Sequence, residues 1–195
     1  MLNDTQKLFM IKAVQLKNKQ GLDAVTWLQD CDNLTEDEID SILTACGIEY
    51  TPSLDNVKAK KHKELSKICE ERIFAGVDVD INGLTKHFSL TEHDQLNLFG
   101  KQVQLASGAE QLEYHADGQA CCYYSAAEMQ LIIETAMAYV SYNTTYCNAL
   151  YMWIDGCKTI EEVRSITWGS DVPVEYQSDV LQNYLAKIAT STETN

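Results

Sequence analysis

The sequence predicts an α+β fold, mostly helical, with two antiparallel β-hairpins, a crossing helix, a long C-terminal helix and an N-terminal helical unit. Three observations predict it. Apolar residues recur at helical spacing over most of the chain; two short stretches alternate in period two around Asn82-Gly83 and Asp117-Gly118; and four Ser/Thr-x-x-Glu boxes mark helix starts at Thr35, Ser89, Ser125 and Thr159.

Residues 1–50 read as the N-terminal helical unit. Leu8, Phe9, Ala13 and Leu16 give one helical stripe, and Leu22, Val25, Trp27 and Leu28 a short apolar segment after Gly21. Thr35 and Glu38 open a third helix along Ile39, Ile42 and Leu43, with Gly47 as its stop. Tyr50 to Ser53, with Pro52, reads as a hinge. The second unit, residues 54–189, starts with a helix from Leu54 to Ala75 that Gly76 ends. Its basic run, Lys58, Lys60, Lys61, His62 and Lys63, is followed by Glu64, Glu70 and Glu71, and predicts a solvated face.

Val77-Asp-Val-Asp-Ile81 alternates apolar with acidic residues, Asn82-Gly83 supplies a tight turn, and Leu84 to Phe88 returns. Ser89 and Glu92 then predict a helix through Leu96, Leu98, Phe99, Val103 and Leu105, stopped at Ser107-Gly108. A second hairpin is expected from Leu112 to Ala116, turning at Asp117-Gly118 and returning over Gln119 to Tyr124.

The long helix, about residues 126–155, starts at the Ser125/Glu128 box and carries two adjoining seams at spacings of three and four. Ile132, Thr135, Tyr139, Tyr142, Tyr146, Ala149 and Trp153 form one; Met129, Ile133, Ala136, Val140, Asn143, Cys147, Leu150 and Ile154 form the other. Two seams make a wide apolar face. A small sheet can cover one, so the other is expected to meet another helix, in this chain or in another copy. Ile132, Tyr139, Tyr142, Tyr146 and Trp153 are the expected interface, with Asn143 setting register. Thr159 and Glu162 start a short helix, Pro173 marks a further helix start, and Val180, Leu181, Tyr184, Leu185 and Ile188 form an amphipathic stripe before a frayed tail at 190–195.

The formal net charge of -14 would repel phosphate backbones and anionic lipid, so neither a nucleic-acid nor a membrane role is expected. The polar residues between Met129 and Ile154 keep that stretch out of hydrocarbon, and the N-terminus lacks the pattern of a secretion signal. Seven cysteines without a Cys-x-x-Cys pair read as reduced thiols.

Asp78, Asp80 and Asn82 match the opening half of a calcium loop, but Ser89 stands where the closing glutamate belongs, and a strand ending in an Asn-Gly turn explains the same residues without an ion. No metal or other cofactor is expected. His62, His87, His93 and His115 lack the spacing of a helical metal pair; Cys147 lies in an apolar seam, which suits a filler better than a nucleophile; and no catalytic fingerprint is present. Seven of the ten tyrosines crowd the second hairpin and the long helix, as core or as protein interface.

Taken together, Gly76 to Gly83, His87-Phe-Ser-Leu-Thr-Glu-His-Asp-Gln-Leu-Asn-Leu-Phe99, Leu112 to Gly118, Tyr124 to Met129 and the long helix resemble a phage domain family of uncharacterised function. Its members sit in tail and baseplate gene clusters of phages and prophages, sometimes fused behind tail-fibre assembly proteins. The resemblance covers about residues 55–168; residues 1–50 lie outside it. It implies no catalytic residues. It implies a non-enzymatic structural or adaptor protein of a phage tail, made in the bacterial cytoplasm and carried in the virion at the baseplate or receptor-binding fibre. Its partners would be tail or fibre proteins and other copies of itself. The alternatives are a tail-fibre assembly chaperone and, from another class, a small hydrolase or calcium-dependent glycan binder.

Overall fold

The structure, a computed structural model, describes residues 2–31 and 33–192. Among them are eight α-helices and two separate two-stranded antiparallel sheets, so the α+β, mostly helical fold class is correct. The chain divides into two compact units: Met1–Leu65 with Tyr151–Asp171, and Ser66–Leu150 with Val172–Asn195. The division differs from the expected boundary at residues 50–54. The physical reason is that α4 (Leu54–Ala75) and α6 (Ala126–Gly156) each begin in one unit and end in the other.

The first unit is built on α1 (Asp4–Lys19), α2 (Ala24–Gln29) and α3 (Glu36–Ala45). Each starts on a local cap: Asn3 with Gln6, Asp23 with the amides of Val25 and Thr26, and Thr35 with Glu38. Their core is Val14, Ala24, Leu28, Leu34, Ile39, Ile42 and Leu43, with Met10 and Ile11 packed against it. Here the expected stripe on α1 is wrong. Leu8, Phe9 and Leu16 face outward, because the edges of α1 are fixed elsewhere. The Leu2 amide donates to Glu38 Oε1 at 2.5 Å, Lys7 Nζ bonds Ser41 Oγ, and Lys17 Nζ lies 4.7 Å from the Trp27 ring centroid.

The supposed hinge is anchored, since Tyr50 donates its hydroxyl to the buried Glu36 Oε2 at 2.5 Å. Burial, then that carboxylate, push the Tyr50 phenol up to about 12. The basic run of α4 is likewise not a free face. Lys60 Nζ donates to the carbonyls of Cys31 (3.3 Å) and Leu34 (2.9 Å), and Lys58 Nζ to that of Asp155 (2.8 Å). His62 stacks on Tyr151 with centroids 4.6 Å apart. The short α7 (Ile160–Ser165) begins at the Thr159/Glu162 box as expected, and its Arg164 pairs with Asp37 at 2.5 Å.

The second unit holds both hairpins. In the first, β1 (Val77–Ile81) pairs with β2 (Leu84–Phe88), Val77 opposite Phe88 and Ile81 opposite Leu84. Val77, Val79 and Ile81 are buried and the two aspartates wet, as the alternation predicts. Asn82 and Gly83 both have positive φ, 54° and 79°, the requirement of a two-residue turn matched to strand twist. Gly76 is obligatory for a different reason: at φ 85° a Cβ there would lie 2.1 Å from the Phe88 carbonyl oxygen.

The second hairpin pairs β3 (Gln111–Tyr114) with β4 (Cys122–Ser125), Leu112 opposite Tyr124. Its connection is a seven-residue loop, 115–121, rather than the two-residue turn expected at Asp117-Gly118. The Asp117 amide donates to the His87 carbonyl (2.9 Å), which pulls the loop onto β2 and away from strand pairing. Between the hairpins runs α5 (Glu92–Ala106). Its N-cap is Thr91, boxed with Asp94, not Ser89 with Glu92, because the Ser89 hydroxyl and amide are both taken by the Asp117 carboxylate.

Helix α6 begins as expected at Ser125 and Glu128, and Glu128 does double duty, since its Oε1 accepts from Asn82 Nδ2 at 2.6 Å. Pro173 opens a single 3-10 turn (Val174–Tyr176) instead of the last helix. That helix, α8 (Asp179–Thr192), starts after Ser178, whose Oγ accepts from the Leu181 amide. The tail expected to fray at 190–195 is helical to Thr192; residues 193–195 lie outside the described residues.

Candidate functional site

The interface expected on α6 is not available as a surface. Ile132 and Tyr146 are buried, as are Met129, Ile133, Ala136, Cys147, Ala149, Leu150 and Ile154 from both seams. Tyr139 and Tyr142 are half-buried and engaged. The Tyr139 hydroxyl donates to the Arg72 carbonyl of α4 (3.1 Å), while Tyr142 meets Tyr146 (6.1 Å between centroids) and Tyr184 of α8 (5.8 Å, edge-on). Trp153 is half-buried within the first unit. Helices α4 and α8 supply the cover that the sequence left to a partner. Asn143, expected to set register between copies, is buried and turns its Nδ2 back onto the Tyr139 carbonyl (2.9 Å), while its own carbonyl accepts the Cys69 thiol (3.6 Å).

The uncovered apolar surface lies elsewhere. On α5, Leu98 and the flanks of Gln95 and Lys101 face inward. Gln95 Nε2 donates to the Leu90 carbonyl (2.8 Å) and Lys101 Nζ pairs with Glu113 (2.7 Å). The opposite face presents Leu96, Phe99 and Val103, which are 66%, 60% and 51% exposed. Their spacing of three and four places them in one stripe along the helix. From Gln95 to Ala109 the only charged residue is Lys101, on the inward side, so the stripe is uncharged from Leu96 onward, with exposed Glu92 one turn before it on the same face. Exposed apolar residues scattered singly mean little, but three in register on one helix form a patch of the kind that marks contact sites. A second such face is on α1, in the first unit. Leu8, Phe9 and Leu16 are 53%, 71% and 57% exposed there, and Lys12 sits among them. The signal for both was in the sequence: each helix has two candidate stripes, and periodicity alone does not say which one the chain buries.

Asp78, Asp80 and Asn82 do not converge. Asp78 Oδ1 takes His87 Nδ1 (2.7 Å), Asp80 takes the Thr85 hydroxyl, and Asn82 reaches Glu128. Among the described residues no group of three His, Cys, Asp or Glu side chains is placed to hold a metal ion. Nor does any helix there have the length and apolarity to cross a membrane.

His87, Asp78, Ser89 and Asp117 come together in space and invite comparison with a hydrolytic relay. The geometry is a different one. His87 Nε2 donates to the Ala75 carbonyl (2.7 Å) and Nδ1 faces Asp78, while Ser89 gives its hydroxyl to Asp117 rather than to the imidazole. A relay needs the serine proton aimed at an imidazole lone pair. Because both ring nitrogens face acceptors, the doubly protonated ring is favoured: the Asp78 hydrogen bond, then the Ala75 carbonyl and the nearby Asp117, raise its pKa above the ordinary histidine value. The cluster is a clasp holding β1, β2 and the loop of the second hairpin. All seven cysteines are thiols; Cys69 is pushed up to about 12 by burial and then by its neighbour Cys147, which quenches it as a nucleophile.

No family model matches the chain, and no curated protein or solved structure is similar to it.

Proposed function

We propose that this chain is a non-enzymatic structural or adaptor protein of a bacteriophage or prophage tail, acting at the baseplate or the receptor-binding fibre. The observation that carries the holding role is the apolar stripe of Leu96, Phe99 and Val103, left outside by a fold that buries one seam of its longest helix almost wholly and the other in part. A second uncovered face on α1, in the other unit, gives the chain two places to grip, as an adaptor requires. The tail itself comes from the resemblance of residues 55–168, whose most specific part, Phe88-Ser-Leu-Thr91 with Asp94-Gln-Leu-Asn97, runs into the start of the stripe.

Mass spectrometry of purified virions tests the reading. A tail component is present in particles at fixed stoichiometry. A protein made during infection but absent from them would instead be the assembly chaperone that binds fibre chains and leaves. Calorimetric titration with calcium addresses the remaining alternative: heat saturating at millimolar ion would favour a calcium-dependent glycan binder over a holder of proteins.

A further inference from the structure

We infer that the outer face of α1 is a docking site for an acidic amphipathic helix of another protein, one whose contact face carries apolar residues and two carboxylates about two turns apart. This deepens the proposed function by naming the chemistry of one partner, and it rests on that reading of the α1 face as a place to grip.

The face belongs to a single helix of the first unit. Leu8, Phe9 and Leu16 are mostly exposed, and Lys12, also exposed, stands one turn after Leu8 and one turn before Leu16. Lys19 is exposed two turns beyond Lys12 on the same side, ~10 Å along the axis. Neither of these lysines meets a carboxylate among the described residues. The other two lysines of α1 are engaged at its inner edges, Lys7 with Ser41 Oγ and Lys17 over the Trp27 ring. The single acid of the helix, Asp4, lies at its start, one turn before Leu8.

Charge names the occupant. The whole chain has 29 acidic residues to 15 lysines and arginines, whereas α1 reverses the balance, with four lysines to one aspartate. Salt screens charges over ~8 Å, so a docked segment feels the side chains beside it more than the net charge. A basic segment would be drawn to the rest of the surface and turned away here; an acidic one is turned away elsewhere and drawn here. A second copy does not fit. The exposed apolar residues of its α5 and α8 come with one exposed acid on each helix, Glu92 and Asp179, where Lys12 and Lys19 need two.

The place of Lys12 separates a helix from a lipid surface. On a membrane-bound helix the lysines flank the apolar face and reach outward to headgroups. Lys12 stands on the midline of this face, between Leu8 and Leu16, where sinking the helix would carry its ammonium toward the acyl chains. A carboxylate on a facing helix meets it there directly. With 16 residues, α1 is ~24 Å long, and one helix laid along it buries less than the ~800 Å² per partner of a standard interface. The expected affinity is therefore modest, about 10–100 µM.

The test is fluorescence anisotropy of labelled synthetic helices titrated with the full chain under reducing conditions, up to about 1 mM. The probe is an alanine-rich helix of about 20 residues with a leucine stripe and two glutamates seven positions apart within it; its controls carry glutamine or lysine at those two positions. Wild type is expected to bind the glutamate helix at least ~5-fold more tightly than the glutamine helix, and more weakly as salt rises. The double variant Lys12→Glu, Lys19→Glu is expected to invert the preference, taking the lysine helix instead. Phe9→Asp should weaken binding of the glutamate helix at least ~10-fold. Melting curves show that each variant is folded. No saturable binding, equal binding of the glutamate and glutamine helices, or a preference that the double variant leaves unchanged overturns the inference. So does flotation of wild type, but not of Phe9→Asp, with vesicles of equal parts phosphatidylcholine and phosphatidylglycerol, which would give the face to lipid. A mass above 22.0 kDa in light scattering that Phe9→Asp abolishes would give it to a second copy and overturn the inference too. Each of these results leaves the tail assignment to the virion measurement; absence from virions of a chain that selects the glutamate helix would remove that assignment and keep this one.

Discussion

Helices α5 and α6 carry similar promise in the sequence and meet opposite fates in the fold. The longer one has apolar residues on two adjoining seams over 31 residues, and its own chain buries one almost wholly and the other in part. The shorter one has fewer apolar residues over 15, and leaves three of them in water. The contrast teaches that apolar content does not locate an exposed apolar face. What locates it is the number of neighbours that the same chain brings to a helix: α6 receives contacts from α4 and α8, while α5 is held on one side only, through Leu98, Gln95 and Lys101.

The comparison can be broken most directly at its buried end. Ile132→Ala is expected to cost about 2–5 kcal/mol, because it removes fully buried methyl groups and leaves a cavity; a loss below ~1 kcal/mol in urea unfolding would mean that the seam is not core. Tyr142→Glu should cost about 1–3 kcal/mol by placing a carboxylate against the rings of Tyr146 and Tyr184. Light scattering should find the folded variant at the same mass as wild type under the same conditions. A change of mass would return α6 to the list of contact surfaces.

A smaller effect comes through the clasp that holds the hairpins. His87 has a folded-state pKa raised above its unfolded value of ~6.5. Its contribution is therefore complete below that value and is lost as the pH rises through the folded-state pKa. Melting temperature followed from pH 5.5 upward should fall more steeply above ~6.5 for wild type than for His87→Gln. Parallel profiles would show that the imidazolium contributes nothing. The smallest effect belongs to the open face: Leu96→Ala should change stability by under ~0.5 kcal/mol. A loss of 2 kcal/mol or more, ~2 being typical of core truncation, would show that the stripe is already covered.

Short-range chemistry was legible in the sequence and long-range competition was not. The boxes at Thr35, Ser125 and Thr159 formed where they were read, since both partners lie within four residues, and the distant donors that reach Glu38 and Glu128, Leu2 and Asn82, take only the other carboxylate oxygen. Ser89 and Glu92 have the same pattern and did not form one, because Asp117, 28 residues away, claims Ser89 and leaves the start to Thr91 and Asp94. Asn82-Gly83 was read correctly as a tight turn, whereas Asp117-Gly118 was drawn into a longer loop by the His87 carbonyl. On α1 the error was one of rotation: both stripes exist, and the Leu2–Glu38 and Lys17–Trp27 contacts decide between them. The site followed the same rule. The stripe on α5 could be listed from periodicity, but its exposure depends on which inward side chains find partners, and Glu113 is 12 residues from Lys101.

The interleaving of the two units has a consequence for the order in which the chain can be made. A ribosome delivers residues 1–65 first, yet the pieces that complete their unit, Tyr151–Asp171, emerge only after all of 66–150. Until then Lys58 has no Asp155 carbonyl and His62 no Tyr151 ring. The α1–α3 core can close early, but the start of α4 waits for these partners until residues 151–171 are made. A chain released at residue 150 should accordingly be cut by protease within its first 65 residues, at positions that the finished protein shields.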